Sequence, residues 1–107
     1  MKLDALRKAY YITLMIKSFR DKETAALFLG ERVRRIPPDV RRVARRKLMQ
    51  LEQTARVEEL RIPPGNRLEV LTGDRAGYWS IRINDQWRLC FRFEDGNAWD
   101  AEIVDYH

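Results

Sequence analysis

Apolar positions along this chain of 107 residues repeat with two different periods, and the change falls near its middle. Val40, Val43, Ala44, Leu48 and Leu51 recur at helical spacing, which predicts a helix over residues 39–54. "IPPDV" just before it suits a first turn, where proline gives up no needed donor. A shorter helix is predicted at "KETAALFL", with Asp21 as its cap, Leu27 and Phe28 as anchors and Gly30 as its stop. Ahead of that helix, "MIKSF" (15–19) is a short strand-like run.

"RIPPGN" (61–66) is turn-rich, and beyond it the period becomes two. Residues 67–71 read as a strand and "TGDRAG" (72–77) as a loop. "YWSIRI" (78–83) sets Trp79, Ile81 and Ile83 against Tyr78, Ser80 and Arg82. "ND" (84–85) suits a two-residue hairpin turn. "QWRLCFRF" (86–93) sets Trp87, Leu89, Phe91 and Phe93 against Arg88, Cys90 and Arg92. "EDGN" turns again, and "AWDAEIVDYH" is the last strand with its tail. Helices first and strands afterwards predict an α+β domain, two helices on one face of a largely antiparallel sheet. The helices should cover Ile81, Ile83, Leu89 and Phe91. Arg82, Arg88 and Arg92 then share the open face, where like charges on neighbouring strands repel. Either acidic neighbours such as Asp100 and Glu102 or a polyanionic ligand must balance them.

The length allows one domain with one core. A net charge of +5 and a pI near 9.7 fit a polyanionic or acidic partner, and equally an inert basic surface. Arg41, Arg42, Arg45 and Arg46 fall opposite the apolar stripe of the long helix, with Lys47 nearer the stripe. That face is either solvated or a surface for phosphate or an acidic protein. Cys90 is the sole cysteine, so no internal disulfide and no cysteine-based metal site can form, which suits a reducing cytoplasm. No run reaches the ~18 apolar residues of a membrane span, and no membrane partner is expected. "AYYITLMI" (9–16) follows a charged segment, but Asp4 and the lack of a small-residue cleavage site argue against a signal peptide.

The only histidine, His107, is the last residue, in "EIVDYH". In a strand that runs to its end, Asp105 and His107 share one side and Tyr106 points to the other. A carboxylate, a phenol, an imidazole and nearby arginines suit RNA cleavage. A ribose 2′-hydroxyl attacks its own phosphate, and needs a proton acceptor, a proton donor and cations for the developing charge. No metal and no cofactor is needed, because the substrate carries the nucleophile. "TGDRAG" lacks P-loop spacing and its lysine. Ser18 and Ser80 lack an elbow-like context for a serine triad.

"PPGNRLE", "GDRAGYWSIRIN", "QWRLCF" and "EIVDYH" together resemble the HigB-type toxins of the RelE/ParE toxin–antitoxin superfamily, from "MIKSF" to the C-terminus, residues 15–107. The resemblance implies a microbial-RNase-like fold that cleaves mRNA in the ribosomal A site without metal. It implies a cognate helix-turn-helix antitoxin, with operator DNA reached only through the antitoxin complex. It makes Arg88, Asp105, Tyr106 and His107 the catalytic residues. Arg67, Arg75, Arg82 and Arg92 are then candidates for RNA phosphate, and Arg41, Arg42, Arg45 and Arg46 for the ribosome. Thr72 stands where such toxins usually carry a lysine, and Arg67 or Arg75 is the candidate to compensate. A weakly catalytic or non-catalytic toxin of the same fold, directed at gyrase, and a co-repressor acting through the antitoxin are the competing readings. Residues 1–14 form an N-terminal extension. Either Met15 is the true start, or the segment is a short helix packing on the domain.

Overall fold

The computed structural model describes residues 14–106. The expected N-terminal extension, apart from Leu14, and His107 lie outside the described residues. Helix α1 spans Lys22–Phe28 and α2 spans Pro38–Glu52. Strands β1 (Glu69–Val70), β2 (Tyr78–Arg82), β3 (Trp87–Glu94) and β4 (Asn97–Asp105) form a sheet in that order, each antiparallel to its neighbour. The α+β arrangement is the one the two periods predict.

Asp21 caps α1 by accepting the Thr24 N–H at 3.1 Å, and Gly30 follows the helix at φ +82, a conformation glycine adopts without strain. Helix α2 starts at Pro38 and buries Val40, Ala44, Leu48 and Leu51. The other wall of the core is Ile81, Ile83, Leu89 and Phe91, all buried as expected. The strand-like run at 15–19 lies parallel to β4, through bridges from Ile16 to Ala98 and from Phe19 to Ala101. Between those bridges β4 bulges: the register with β3 shifts between Cys90 and Arg92, and Asp100 takes φ +56. The Ser18 hydroxyl holds the bulge, accepting the Asp100 N–H at 2.8 Å and donating to its carboxylate at 3.2 Å.

Two local expectations change. The strand expected over 67–71 shrinks to Glu69–Val70, because Arg67 is left-handed at φ +46 and ends a 3-10 turn over Pro64–Asn66. The turn between β2 and β3 is not the two-residue "ND". The Asn84 side chain accepts the Gln86 and Trp87 N–H groups, both at 2.8 Å, so residues 83–86 form the loop. The β3–β4 turn carries Asp95 at φ +51 and Gly96 at φ +77, the pairing that favours a tight hairpin.

Glu52, the last residue of α2, accepts the Met15 and Ile16 N–H groups, each at 3.0 Å. It thereby ties the start of the parallel segment to the helix layer. Glu52→Ala is expected to lower the unfolding free energy by about 2 kcal/mol, the cost of leaving partly buried donors unpaired. Urea denaturation measures this, and a change within 0.5 kcal/mol of zero, roughly the level of a neutral surface substitution, contradicts it.

Candidate active site

The open face of the sheet has a small polar floor. Ser80 on β2 stands opposite Cys90 on β3, and both are fully buried although neither faces the helices. What covers them is the side chains of neighbouring rows. Arg88 lies two residues along from Cys90, on the same face. Its Nε donates to the Ser80 hydroxyl at 2.8 Å. Its Nη2 donates to the Arg67 carbonyl at 2.8 Å and to the Ser80 carbonyl at 3.4 Å. The guanidinium is thus oriented by neutral acceptors, with its side chain only 12% exposed. Glu69, opposite Ser80 on β1, is the near carboxylate, 3.6 Å from Arg88 Nη2 and 55% exposed.

Tyr106 closes the other side. Arg88 sits over its ring, 5.9 Å from the centroid, and its phenol is hydrogen-bonded to the Cys90 thiol. Burial, with Cys90 adding to it, pushes the phenol above its ordinary value. It is therefore a neutral hydroxyl at physiological pH. Glu69, Leu71, Thr72, Arg75 and Tyr106 line an open cleft of about 330 Å³ beside this group. Arg75 reaches the cleft while pairing with Glu102 at 2.9 Å and lying over the Tyr78 ring. Thr72, in the position where lysine was expected, is exposed on the rim. Among the described residues no group of three or more His, Cys, Asp or Glu side chains could hold a metal ion.

The other sequence candidates are distributed unevenly. Asp105 has Trp87 as its register partner, so its row is the one that faces the helices, and the Gln86 amide donates to its carboxylate at 3.1 and 3.2 Å. The fold therefore sets Asp105 and Arg88 on different faces of the sheet and brings Arg88 together with Tyr106. Arg82 is opposite Arg88 and is drawn away by Asp85 at 2.6 Å. Arg92 is roughly 13 Å along the strand from Arg88, held by Glu94 and Asp100 and lying over Trp99. Arg67 contributes its carbonyl to Arg88 while its side chain is exposed. Of the proposed balancing carboxylates, Asp100 faces Arg92, whereas Glu102 serves Arg75 and Arg20 instead.

The arginine face of α2 is also divided. Arg41 Nε donates to the Ile36 carbonyl, and Arg45 donates to the Leu27 and Phe28 carbonyls at the end of α1. Arg42 and Arg46 are exposed on a shallow groove lined also by Leu27 and Met49.

Sequence reasoning missed Glu69, and it treated Ser80 only as a nucleophile. The missing signal was register. Once β1 pairs with β2, alternation puts Glu69 on the row of Ser80 and Arg88.

A cationic group steered by main-chain and hydroxyl oxygens thus stands beside a carboxylate and a neutral phenol, on the open face of a small α+β sheet. Residues 17–107 match the family model of the RelE-like toxin of type II toxin–antitoxin system HigB, and the chain belongs to this HigB-like toxin family. It is 41% identical over 85 residues to Toxin HigB-1 of Vibrio cholerae, covering 78% of this chain and 90% of that protein. It is 38% identical over 98 residues to Endoribonuclease HigB of Proteus vulgaris, covering 87% of this chain and all of that protein.

The Cys90 thiol is fully buried, and burial pushes it above the ordinary thiol range. It is expected to resist a thiol-specific disulfide reagent in the native protein at pH 8, and to react promptly in 6 M guanidinium. Fast stoichiometric reaction of folded protein would show that Tyr106 and Arg88 do not cover it.

Proposed function

We propose that this protein is the toxin of a type II toxin–antitoxin system and cleaves mRNA as an endoribonuclease, acting on the ribosome and neutralised by a cognate antitoxin. One observation carries the chemistry: Arg88 meets both Glu69 and Tyr106 on one face of the sheet, and those two line the adjoining cleft. The name of the Proteus relative supports the same activity.

In this reading the ribose 2′-oxygen forms a bond to the adjacent phosphorus as the bond to the 5′-oxygen breaks. Glu69 takes the proton of the 2′-hydroxyl. His107, next in the chain after Tyr106, returns a proton to the departing 5′-oxygen. Arg88 balances the charge that grows on the non-bridging oxygens, and Tyr106 donates to one of them. Arg75 flanks the neighbouring phosphate in place of the lysine that Thr72 replaces. Asp105, on the far face, orients the tail through Gln86 rather than touching the phosphate. The products are a 2′,3′-cyclic phosphate and a 5′-hydroxyl, so atoms and charge balance without a metal. The exposed Arg42 and Arg46, with Arg41 and Arg45 behind them, meet ribosomal RNA phosphates. The antitoxin partner follows from the family, and its helix-turn-helix fold and operator binding are part of the proposal.

Single-turnover cleavage of an mRNA programmed in the ribosomal A site tests the chemistry. Arg88→Ala is expected to fold and to lose roughly 10²–10³ in rate. Glu69→Gln and a protein ending at Tyr106 should each lose on the order of 10²–10⁴. A substrate with 2′-deoxyribose at the cleavage point should bind and stay intact. Full activity of folded Arg88→Ala, or cleavage of the deoxy substrate, would falsify the mechanism.

The basic helix gives a separate expectation. Changing Arg42 and Arg46 to glutamine should weaken ribosome binding and flatten its dependence on salt, because phosphate contacts release counterions. Codon preference should not change. Unaltered affinity at moderate salt would leave these arginines as a solvated helix face.

A further inference from the structure

Lys47 is an expensive residue for its position. It occupies the apolar side of α2, is only 8% exposed, and has Arg46 and Arg82 as the charges acting on it. Burial and those two cations push its ammonium below the ordinary lysine value. A methionine would fill the same volume without a desolvation cost. What the ammonium does is donate to the side-chain oxygen of Asn66. Asn66 is itself 0% exposed and completely committed. Its amide nitrogen donates to the Leu60 carbonyl at 3.0 Å, the Gln50 side chain at 3.2 Å and the Ile62 carbonyl at 3.4 Å. Its backbone N–H donates to the Pro63 carbonyl at 2.9 Å.

The residue after this plug is Arg67, held left-handed at φ +46, which a side chain adopts only when its surroundings enforce it. The turn aims the Arg67 carbonyl at Arg88 Nη2, 2.8 Å away. The hydroxyl of Ser80 fixes Nε of the same guanidinium from the sheet side. Two points on a planar group fix its direction, and one of the two hangs on the loop that Asn66 anchors.

We propose that Lys47 and Asn66 form a buried positioning relay that, through the Arg67 carbonyl, aims the Arg88 guanidinium at the scissile phosphate. The proposal rests on the assignment of Arg88 to phosphate stabilisation made above. Neither residue touches the substrate. The ammonium locks the Asn66 side-chain oxygen, which leaves the amide hydrogens to bind the loop carbonyls. Without that lock the amide can turn and the loop can drift.

The test is Lys47→Met in the full chain, alone and combined with Arg88→Ala. At a temperature well below melting, the single-turnover rate should fall about 10-fold, as expected for a misaimed group, while ribosome affinity stays within about twofold. Lys47→Arg, which keeps a cationic donor, should recover most of the rate. In the Arg88→Ala background, Lys47→Met should cost nothing further. The Nε–Hε nuclear magnetic resonance signal of Arg88 should shift and broaden in Lys47→Met. A full rate in folded Lys47→Met, or an equal loss in both backgrounds, would overturn the relay, since a purely structural lysine gives one of those results. If Lys47→Met does not fold, Lys47→Gln goes through the same two backgrounds and is read the same way. If Arg88→Ala alone cleaves at full rate, the catalytic assignment falls, and the resonance of Arg88 still reports whether Lys47 holds it.

Discussion

The site depends on how one guanidinium is held. Arg88 is fixed by a hydroxyl and two carbonyls, and these acceptors orient it without cancelling its charge. A bidentate carboxylate would have held it more tightly and left nothing for a phosphate. Glu69 at 3.6 Å is too far for a strong pair, and it is more than half exposed. Water screens what attraction remains. The neighbouring arginines are treated differently. Arg82 has Asp85, Arg75 has Glu102, and Arg92 has both Glu94 and Asp100. The open face is therefore less positive than its arginine content suggests, and its unspent charge is concentrated at Arg88.

Holding a cation this way needs backbone in fixed places, and the fold supplies it from two directions. From the sheet side, β2 and β3 pair without interruption from Tyr78 to Arg82, which puts Ser80 diagonal to Arg88 on the same face. From the loop side, the left-handed Arg67 presents its carbonyl. The irregular features of the sheet lie away from this point. The bulge at Asp100 falls toward the opposite end of β4, where Ser18 and the parallel segment absorb it. That separation lets the terminal part of β4, from Glu102 to Asp105, keep its register with β3 and carry Tyr106 onto the floor formed by Cys90.

Much of this was legible in the residues, and the exceptions have physical causes. Helix α2 was legible because apolar residues recur at helical spacing from Val40 to Leu51, and their burial follows from periodicity. Strands β2 and β3 were legible because strict alternation divides them into Ile81 and Leu89 on one side and Ser80 and Arg88 on the other. The extent of strand β1 was not, because it is set by the backbone at Arg67, and a positive φ at a non-glycine residue leaves no mark in composition. The loop 83–86 was misjudged because Asn84 reaches past the two-residue solution with its side chain. Arg88 could be placed by alternation alone. Glu69 could not, since its place depends on pairing across the loop that contains Thr72 and Arg75. The anchoring of Arg45 to carbonyls depends on how α1 ends against α2, a contact that no local pattern encodes.

The charge inventory of α2 is likewise larger than its free charge. Arg45 meets the Leu27 and Phe28 carbonyls at the end of α1, adding a donor at Leu27, which also accepts the Gly30 N–H at 3.1 Å. A cation there also complements the negative end of the helix. Arg41 does comparable work at Ile36, and Lys47 is turned inward to Asn66. Three of the five basic residues in "RRVARRK" therefore bond groups within the fold, two of them backbone carbonyls, while Arg42 and Arg46 are exposed. A basic stretch read as one electrostatic surface is, in this fold, partly a scaffold. The bracing and the exposure are coupled by geometry. Arg41 and Arg45 are four apart and reach one flank of the helix, while Arg42 and Arg46 are four apart and reach the next. Any polyanion that docks on α2 is thus met by one row of charge, with the row behind it already bonded to carbonyls at the end of α1 and in the loop before α2.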